Sequence, residues 1–338
     1  MKKLNIRYLM MCSLFLLLTL PVSIMAQDAG DPYDPYAPYD NGVPEGWKVI
    51  EGDILVRISE PEGTFESNLW SNRRVPYQFD SNVSSLNQTR AVNAMAELEA
   101  VSNIDFRPRN GEGNYVHFQN STVNNSAVGM KGGRQVINIV SWSSRFIIVH
   151  ECMHAAGFWH EQSRPDRDSF VTIHLDRIPS DKEHNFDKKS SADVLGTYDF
   201  DSVMHYDQCA FSECSNCSSN LSSCRTITVK SPNTSQQGVI GQRDHLSDLD
   251  QLTMQYLYPP SNWRFVNGSY SKAPPANFIT FLQIGTFHLP AKTISKGVSV
   301  VPTGGTLIVM PGTYSGATTY SKAMTLRGSS LLGTVTIR

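Results

Sequence analysis

Residues 150–160 read His150-Glu151-Cys152-Met153-His154-Ala155-Ala156-Gly157-Phe158-Trp159-His160. On a helix, His150 and His154, four positions apart, project from one face and are close enough to share a metal ion. Gly157 suits a left-handed helix end, so the chain can turn there and bring His160 in as a third imidazole from outside the helix. Three neutral nitrogens suit one tetrahedral zinc ion per chain. The fourth position stays open for water, which is the catalytic rather than the structural arrangement. Glu151 faces that same water as a general base, able to accept its proton and pass it to a leaving amine. A surface helix with scattered histidines is the plain alternative, and the coincidence of Gly157 and His160 with the H-E-x-x-H spacing argues against it.

These side chains need a scaffold. Apolar residues at helical spacing predict a helix over 85–101 (Ala91, Ala94, Met95, Leu98, Val101) and a second over about 143–156 that carries the histidines. Short β-prone runs stand at 115–119, 135–140 and 226–229. A last helix over about 247–256 stops before Pro259-Pro260, the best domain boundary. Beyond it, residues 261–338 are rich in Thr, Val, Ser and Gly, with β runs at 306–309, 323–326 and 334–337.

The continuation narrows the class. His150-Glu-x-x-His-x-x-Gly-x-x-His160 is the metzincin pattern. The segment Glu161-Gln162-Ser163-Arg164-Pro165-Asp166-Arg167-Asp168 resembles the stretch after the third histidine in astacins. Tyr198-Asp199-Phe200-Asp201-Ser202-Val203-Met204-His205-Tyr206 resembles the astacin Met-turn, and the likeness runs on through Ile240-Gly241-Gln242-Arg243 to Leu257-Tyr258. It implies an α+β metzincin zinc-protease domain over 68–258, built from a twisted sheet, a long active-site helix and a Met-turn.

By that resemblance His150, His154 and His160 are the zinc ligands and Glu151 the catalytic base. Met204 floors the site, and Tyr206 is a labile fifth ligand whose phenol swings off to bond the developing oxyanion. Glu161 meets the new amino terminus released by activation. Arg164, Asp166, Arg167 and Asp168 form a structural charge network, and the strand at 115–119 is the edge on which extended substrate pairs. Ile50-Glu51-Gly52-Asp53 resembles the pro-segment motif with which astacins block their own zinc. Asp53 is then the zymogen-latency ligand, and activation requires cleavage between about residues 54 and 68. Arg243 is a candidate for the pocket that prefers an acidic residue after the scissile bond.

The chain also departs from the family. Both usual long-range disulfides are missing: Ser102 or Asn103 and Tyr258 stand near one expected pair, Ser126 and Trp142 near the other. Instead Cys209, Cys214, Cys217 and Cys224 crowd together after Tyr206. In an exported protein they predict two local disulfides rather than a second zinc, with three pairings open. Cys152, alone on the active helix, reads as a buried small hydrophobe. The tail over 261–338 resembles the start of a right-handed parallel β-helix, either truncated or a small β module on the protease.

Length, charge and ends set the remaining bounds. The chain has 338 residues, 40% hydrophobic and 18% charged, which argues against wholesale disorder. Its net charge of −2, made more negative on loss of Lys2, Lys3 and Arg7, offers no footprint for nucleic acid. A basic start, the apolar run Leu14–Leu18 and Ala26 read as a signal peptide over 1–26, hence a secreted or extracellular protein without stable membrane insertion after signal removal. Pro-Tyr repeats open a linker and pro-segment over 27–67. The expected partners are protein or peptide substrates and an activating protease. The function expected is a secreted zinc endopeptidase made as a zymogen. The rival from another class is a surface carbohydrate-binding or adhesion protein with a vestigial protease domain, against which the intact Glu151 weighs.

Overall fold

The computed structural model describes residues 43–44, 46–57, 69–190, 192–270, 285–315, 319–329 and 331–338. The expected signal peptide, the Pro-Tyr linker and residues 58–68 of the activation region lie outside them. Strands β1 (Trp47–Ile50) and β2 (Ile54–Arg57) form a hairpin. There follow β3 (Arg74–Phe79), α1 (Ser85–Val101), β4 (Asp105–Pro108), β5 (Tyr115–Asn120), β6 (Asn125–Ala127) and β7 (Arg134–Ile139). These seven strands make one sheet in the order β1-β2-β6-β7-β5-β3-β4. Strands β4, β3, β5 and β7 are mutually parallel, β6 is antiparallel to β7, and β2 runs parallel to β6.

The sheet corrects one expectation. Strand β5 is no edge: it is hydrogen-bonded to β7 on one side and β3 on the other. Its central residues, Val116, His117, Phe118 and Gln119, are all buried, as expected of a strand paired on both sides and covered on both faces. Strand β6 follows the cleft-lining residues Thr122, Val123 and Asn124, and its outer side is taken by β2, with Ile54 opposite Ser126 and Leu55 opposite Ala127. Three short polar or small residues make a poor strand on their own. A buried amide ladder holds β6 in place: Gln119 donates to Asn138 (2.7 Å) and Asn138 to Asn125 (2.7 Å).

Helix α2 (Arg145–Ala156) packs against α1, and their shared core includes Ala91, Met95, Leu98, Ile148, Val149 and Met153. The carbonyls left over at the end of α2 are satisfied from distant segments. Trp70 Nε1 donates to Ala155 (2.8 Å) and the Tyr258 hydroxyl to Ala156 (2.7 Å). Gly157 closes the helix with φ 115°, and a Cβ there would meet Leu69 at 3.0 Å.

Downstream come β8 (Val171–Ile173), the short helix α3 (Leu221–Cys224), β9 (Ile227–Val229), which pairs with β8, and α4 (Asp248–Leu257). The four crowded cysteines pair Cys209 with Cys217 and Cys214 with Cys224, and Cys152 is buried and unpaired. Burial raises the Cys152 thiol, so it stays protonated and behaves as a small apolar group. Where one long-range bridge is missing, the Asn103 amide donates to the Tyr258 carbonyl (2.9 Å). Near the other, the Asn124 side chain accepts from the Val140 and Ser141 amides (2.9 and 3.0 Å).

After Pro259-Pro260 come β10 (Trp263–Val266), α5 (Ile294–Val300), β11 (Thr306–Val309), β12 (Gly312–Tyr314), β13 (Thr325–Gly328) and β14 (Val335–Ile337). Strands β10-β11-β13 and β12-β14 form two small parallel sheets. Phe265, Ile308 and Met310 pack with Tyr256 of α4, which joins this region to the core. The sequence reading finds β11 and β14 and overlaps β13, but misses β10, β12 and α5.

Candidate metal centre and cleft

His150 and His154 lie one turn apart on α2, and His160 follows the turn at Gly157. All three rings are buried, and each is oriented through Nδ1: His150 to the Val203 carbonyl (2.9 Å), His154 to the Phe158 carbonyl (2.8 Å), His160 to the Glu51 carboxylate (2.9 Å). A carbonyl only accepts, so Nδ1 carries the proton in His150 and His154, and each Nε2 presents a lone pair. The Nε2 atoms converge, 3.1 Å between His150 and His154 and 3.3 Å between His150 and His160. Asp53 closes the group, its Oδ1 3.1 Å from His160 Nε2 and its Oδ2 3.3 Å from His150 Nε2. Donor atoms of these four residues all lie within 4.8 Å of one another.

Buried Oδ1 of Asp53 has no hydrogen-bond donor, and neither has Oε2 of Glu151. Three imidazole lone pairs and a carboxylate turned on one point repel one another unless a cation sits among them. The donor set fits one zinc ion.

Burial would raise Asp53, but His160 and His150 outweigh it and hold the carboxyl well below its ordinary range. Burial, reinforced by Asp53, pushes Glu151 well above the usual carboxylate range, the direction a general base needs.

The loop opposite α2 is set by a carboxylate far along the chain. Asp250 accepts from the Ser202 hydroxyl (2.7 Å) and the Val203 amide (2.8 Å), while its other role is the capping box of α4 with Ser247. This clamp fixes the Val203 carbonyl that orients His150, and it seats Met204, which is buried in the core against α2. The Tyr206 amide donates to Gln162 (2.9 Å), and its ring lies 4.5 Å from that of His160.

The Tyr206 hydroxyl donates to the backbone carbonyl of Glu51. That carbonyl sits at the tip of the β1–β2 hairpin, where Glu51 and Gly52 both have positive φ (48° and 75°) and a Cβ on Gly52 would come within 2.4 Å of Phe211. The Gly52 amide donates to Asn185 (2.9 Å), and the Glu51 carboxylate pairs with Lys189 (2.9 Å). Around the hairpin tip lies a cleft of about 470 Å³ lined by Asp53, Glu151, Tyr206, Phe211 and Arg243 among others. Arg243 donates through Nη1 to the His205 and Gln242 carbonyls (3.0 and 2.8 Å).

A family model described as Astacin, a peptidase family, matches residues 63–259. The low choriolytic enzyme of Oryzias latipes is 36% identical over 223 residues, 62% of this chain and 78% of that protein. The chain belongs to the astacin family. Meprin A subunit beta of Rattus norvegicus is 36% identical over 218 residues, which span 63% of this chain but only 30% of that longer protein. Among solved structures, high choriolytic enzyme 1, a hatching enzyme zinc-protease from Oryzias latipes, superposes with TM-score 0.51 at 31% identity, covering 60% of this chain and 98% of that one. The described residues between 69 and 259 thus have the astacin fold. The hairpin carrying Glu51 and Asp53 lies upstream of the matched residues.

A second cavity, of about 120 Å³, is lined by Glu161, Leu69, Asp199, Asp250, Phe287 and His288 among others. Burial raises Glu161 to about 8, with Arg164 pulling the other way. Arg164 binds Glu161 (3.0 Å) and Asp166 (2.8 Å), and Arg167 binds Asp168 (2.8 Å), so these charges form two groups rather than the single network expected. Glu51, Lys189, Gln162 and Asp250 are the site residues that sequence reasoning missed. Only Asp250 had a local signal, the Ser247-x-x-Asp250 spacing ahead of an apolar run.

Proposed function

We propose that this astacin-family chain is a secreted zinc endopeptidase made as a zymogen, with residues 46–57 as the latency device. The observation that carries the reading is the convergence of three oriented imidazoles on Asp53, beside a buried Glu151. His150, His154 and His160 would hold the zinc ion, with Asp53 in the place of the water. Zinc bound there supplies a Lewis acid that makes water more acidic and a peptide carbonyl more electrophilic. Once the hairpin has left, Glu151 takes the proton of the attacking water and returns it to the departing amine. Tyr206, freed from the Glu51 carbonyl, donates its hydroxyl to the oxygen that gains charge. Substrate pairs with β6 on the side that β2 now occupies, and Arg243 favours an acidic residue after the scissile bond.

Two finer points belong to the same reading. The cavity at Glu161 receives the amino terminus released between residues 54 and 68, since Leu69, just past that region, lines it. The parallel register of β10, β11 and β13, with β12 beside β14, supports reading the tail as the first turns of a parallel β-helix. Casein hydrolysis by the zinc-loaded, cut full chain, beside a Glu151→Ala twin with the same zinc content, tests the activity. Cleavage by the parent alone is expected, and equal activity in the twin would discard Glu151 as the base.

A further inference from the structure

Tyr206 has two places to serve: the Glu51 carbonyl in the uncut chain and, in the reading above, the oxygen that gains charge in the cut one. A side chain that swings between two such places lands accurately only if its pivot, the backbone of its own residue, is fixed. Both polar groups of that pivot are held by buried side chains. The Tyr206 amide donates to Gln162 (2.9 Å), and the Tyr206 carbonyl accepts from His205 Nδ1 (2.6 Å). A carbonyl only accepts, so Nδ1 of His205 carries the proton and Nε2 presents a lone pair. That lone pair takes the hydroxyl of Tyr198 (2.7 Å), which sets the tautomer and the orientation of the imidazole together.

Tyr198 is itself closely held. It is 4% exposed, and His205 is wholly buried. Phe170 stacks on the Tyr198 ring with centroids 4.9 Å apart, and the Arg164 guanidinium lies over that ring, 5.6 Å from the centroid. The peptide groups on either side are clamped as well: Arg164 donates to the Thr197 carbonyl (3.1 Å), and Glu161 accepts from the Asp199 amide (2.7 Å). Arg243 also reaches His205, but through the backbone carbonyl (3.0 Å), so it leaves the ring's orientation to Tyr198. We infer that Tyr198 and His205 are positioning residues for Tyr206: the Tyr198 hydroxyl orients the His205 ring, and that ring fixes the pivot about which the Tyr206 phenol turns. Neither belongs to the group of metal-facing donors. The inference rests on the assignment of Tyr206 to the developing oxyanion and adds to it the residues that aim the phenol.

The test is a double-mutant cycle on the zinc-loaded full chain after activating cleavage, read as kcat and KM on a quenched fluorescent peptide, with zinc content and melting temperature measured alongside. Tyr198→Phe keeps the stacked ring and deletes only the hydroxyl. It should lower kcat by roughly ten- to a hundredfold, the scale of a misplacement of about 1 Å, while KM changes by less than about twofold. In a Tyr206→Phe background the same substitution should change kcat by less than about twofold, because no hydroxyl is left to aim. His205→Asn keeps a donor for the Tyr206 carbonyl but is too short to reach Tyr198. It should show the same dependence on Tyr206, and it carries the test if Tyr198→Phe does not fold. An equal fall of kcat in both backgrounds makes the contact merely structural and overturns the inference, as does an undiminished kcat in Tyr198→Phe. Full activity in Tyr206→Phe alone overturns the oxyanion assignment and the inference with it, whereas a parent that cuts nothing overturns the peptidase reading itself.

Discussion

Asp53→Ala in the uncut chain separates the metal-facing carboxylate from the rest of the latency device. Without it the hairpin keeps its other contacts and remains the major state, but it lifts off β6, where substrate must pair, more often. Ile54, Leu55 and Val56 are each no more than 1% exposed, and burying such side chains stabilises by about 1.5–3 kcal/mol apiece. The Gly52–Asn185 bond, the Glu51–Lys189 pair and the Tyr206–Glu51 contact also persist. What disappears is one partly exposed carboxylate set among three buried imidazoles at 3.1–3.8 Å, and removing the partner of such a buried cluster costs about 3–5 kcal/mol. At 1.4 kcal/mol per decade, the population with an open metal position should rise by roughly a hundred- to several-thousandfold. Turnover of a quenched peptide by uncut Asp53→Ala should therefore stand at least about a hundredfold above the uncut parent. It should remain below that of the cut enzyme, because the Glu51 carbonyl still holds Tyr206. Zinc content is measured beside activity. An uncut variant as silent as the parent, yet zinc-loaded and active after cleavage, would refute the assignment of latency to Asp53.

Four further outcomes are expected. Glu151→Gln should lower kcat by roughly 10²–10⁴-fold while zinc content, read by metal analysis, is retained. Gly157→Ala should lower stability by about 1–2 kcal/mol or more, read by urea unfolding, because φ 115° and the contact with Leu69 both resist a Cβ. Chelation should lower the melting temperature of the uncut parent more than that of uncut Asp53→Ala, since the hairpin's direct bond to the metal would run through that carboxylate. Asp250 gives a pH signature: burial and Asp199 raise its pKa from 3.8 to about 6, so the folded state binds the proton more tightly than the unfolded state. Its contribution is complete below pH 3.8 and is lost as pH rises through 6. Parent stability relative to Asp250→Asn should accordingly fall by up to about 3 kcal/mol between pH 4 and 6 and stay level above 7, and a pH-independent difference would contradict the clamp's burial.

Local chemistry was legible in the sequence, and long-range placement was not. The zinc-binding helix could be read because i, i+4 spacing and a helix-ending Gly157 are properties of one short segment. Helix α1 was likewise legible from its apolar face. Strand β5 was correctly seen as a strand, but pairing order is not written in a strand's own residues, so its interior place could not be read. Strand β6 escaped because Asn125-Ser126-Ala127 has neither length nor alternation, and its position depends on amide ladders reaching across two strands. Four cysteines within sixteen residues left three pairings open, and the turns of the loop selected one. In the tail, α5 contains Gly297, which looks like a helix breaker. It is needed because a Cβ there would lie 2.4 Å from Val266.

The same division explains why the hairpin's place in the cleft was only half visible. Asp53 could be proposed because Ile50-Glu51-Gly52-Asp53 resembles the family's pro-segment motif, whereas Gly-Asp alone reads as a surface turn. The partner of Glu51 lies 138 positions away, and nothing near Lys189 marks it as a ligand for anything. The two meet only because the hairpin adds β2 to the exposed side of β6, which delivers residues 51–53 across the cleft in a fixed register. Sheet addition of this kind uses backbone pairing, so it constrains the position of the hairpin tip and leaves the identity of its side chains free.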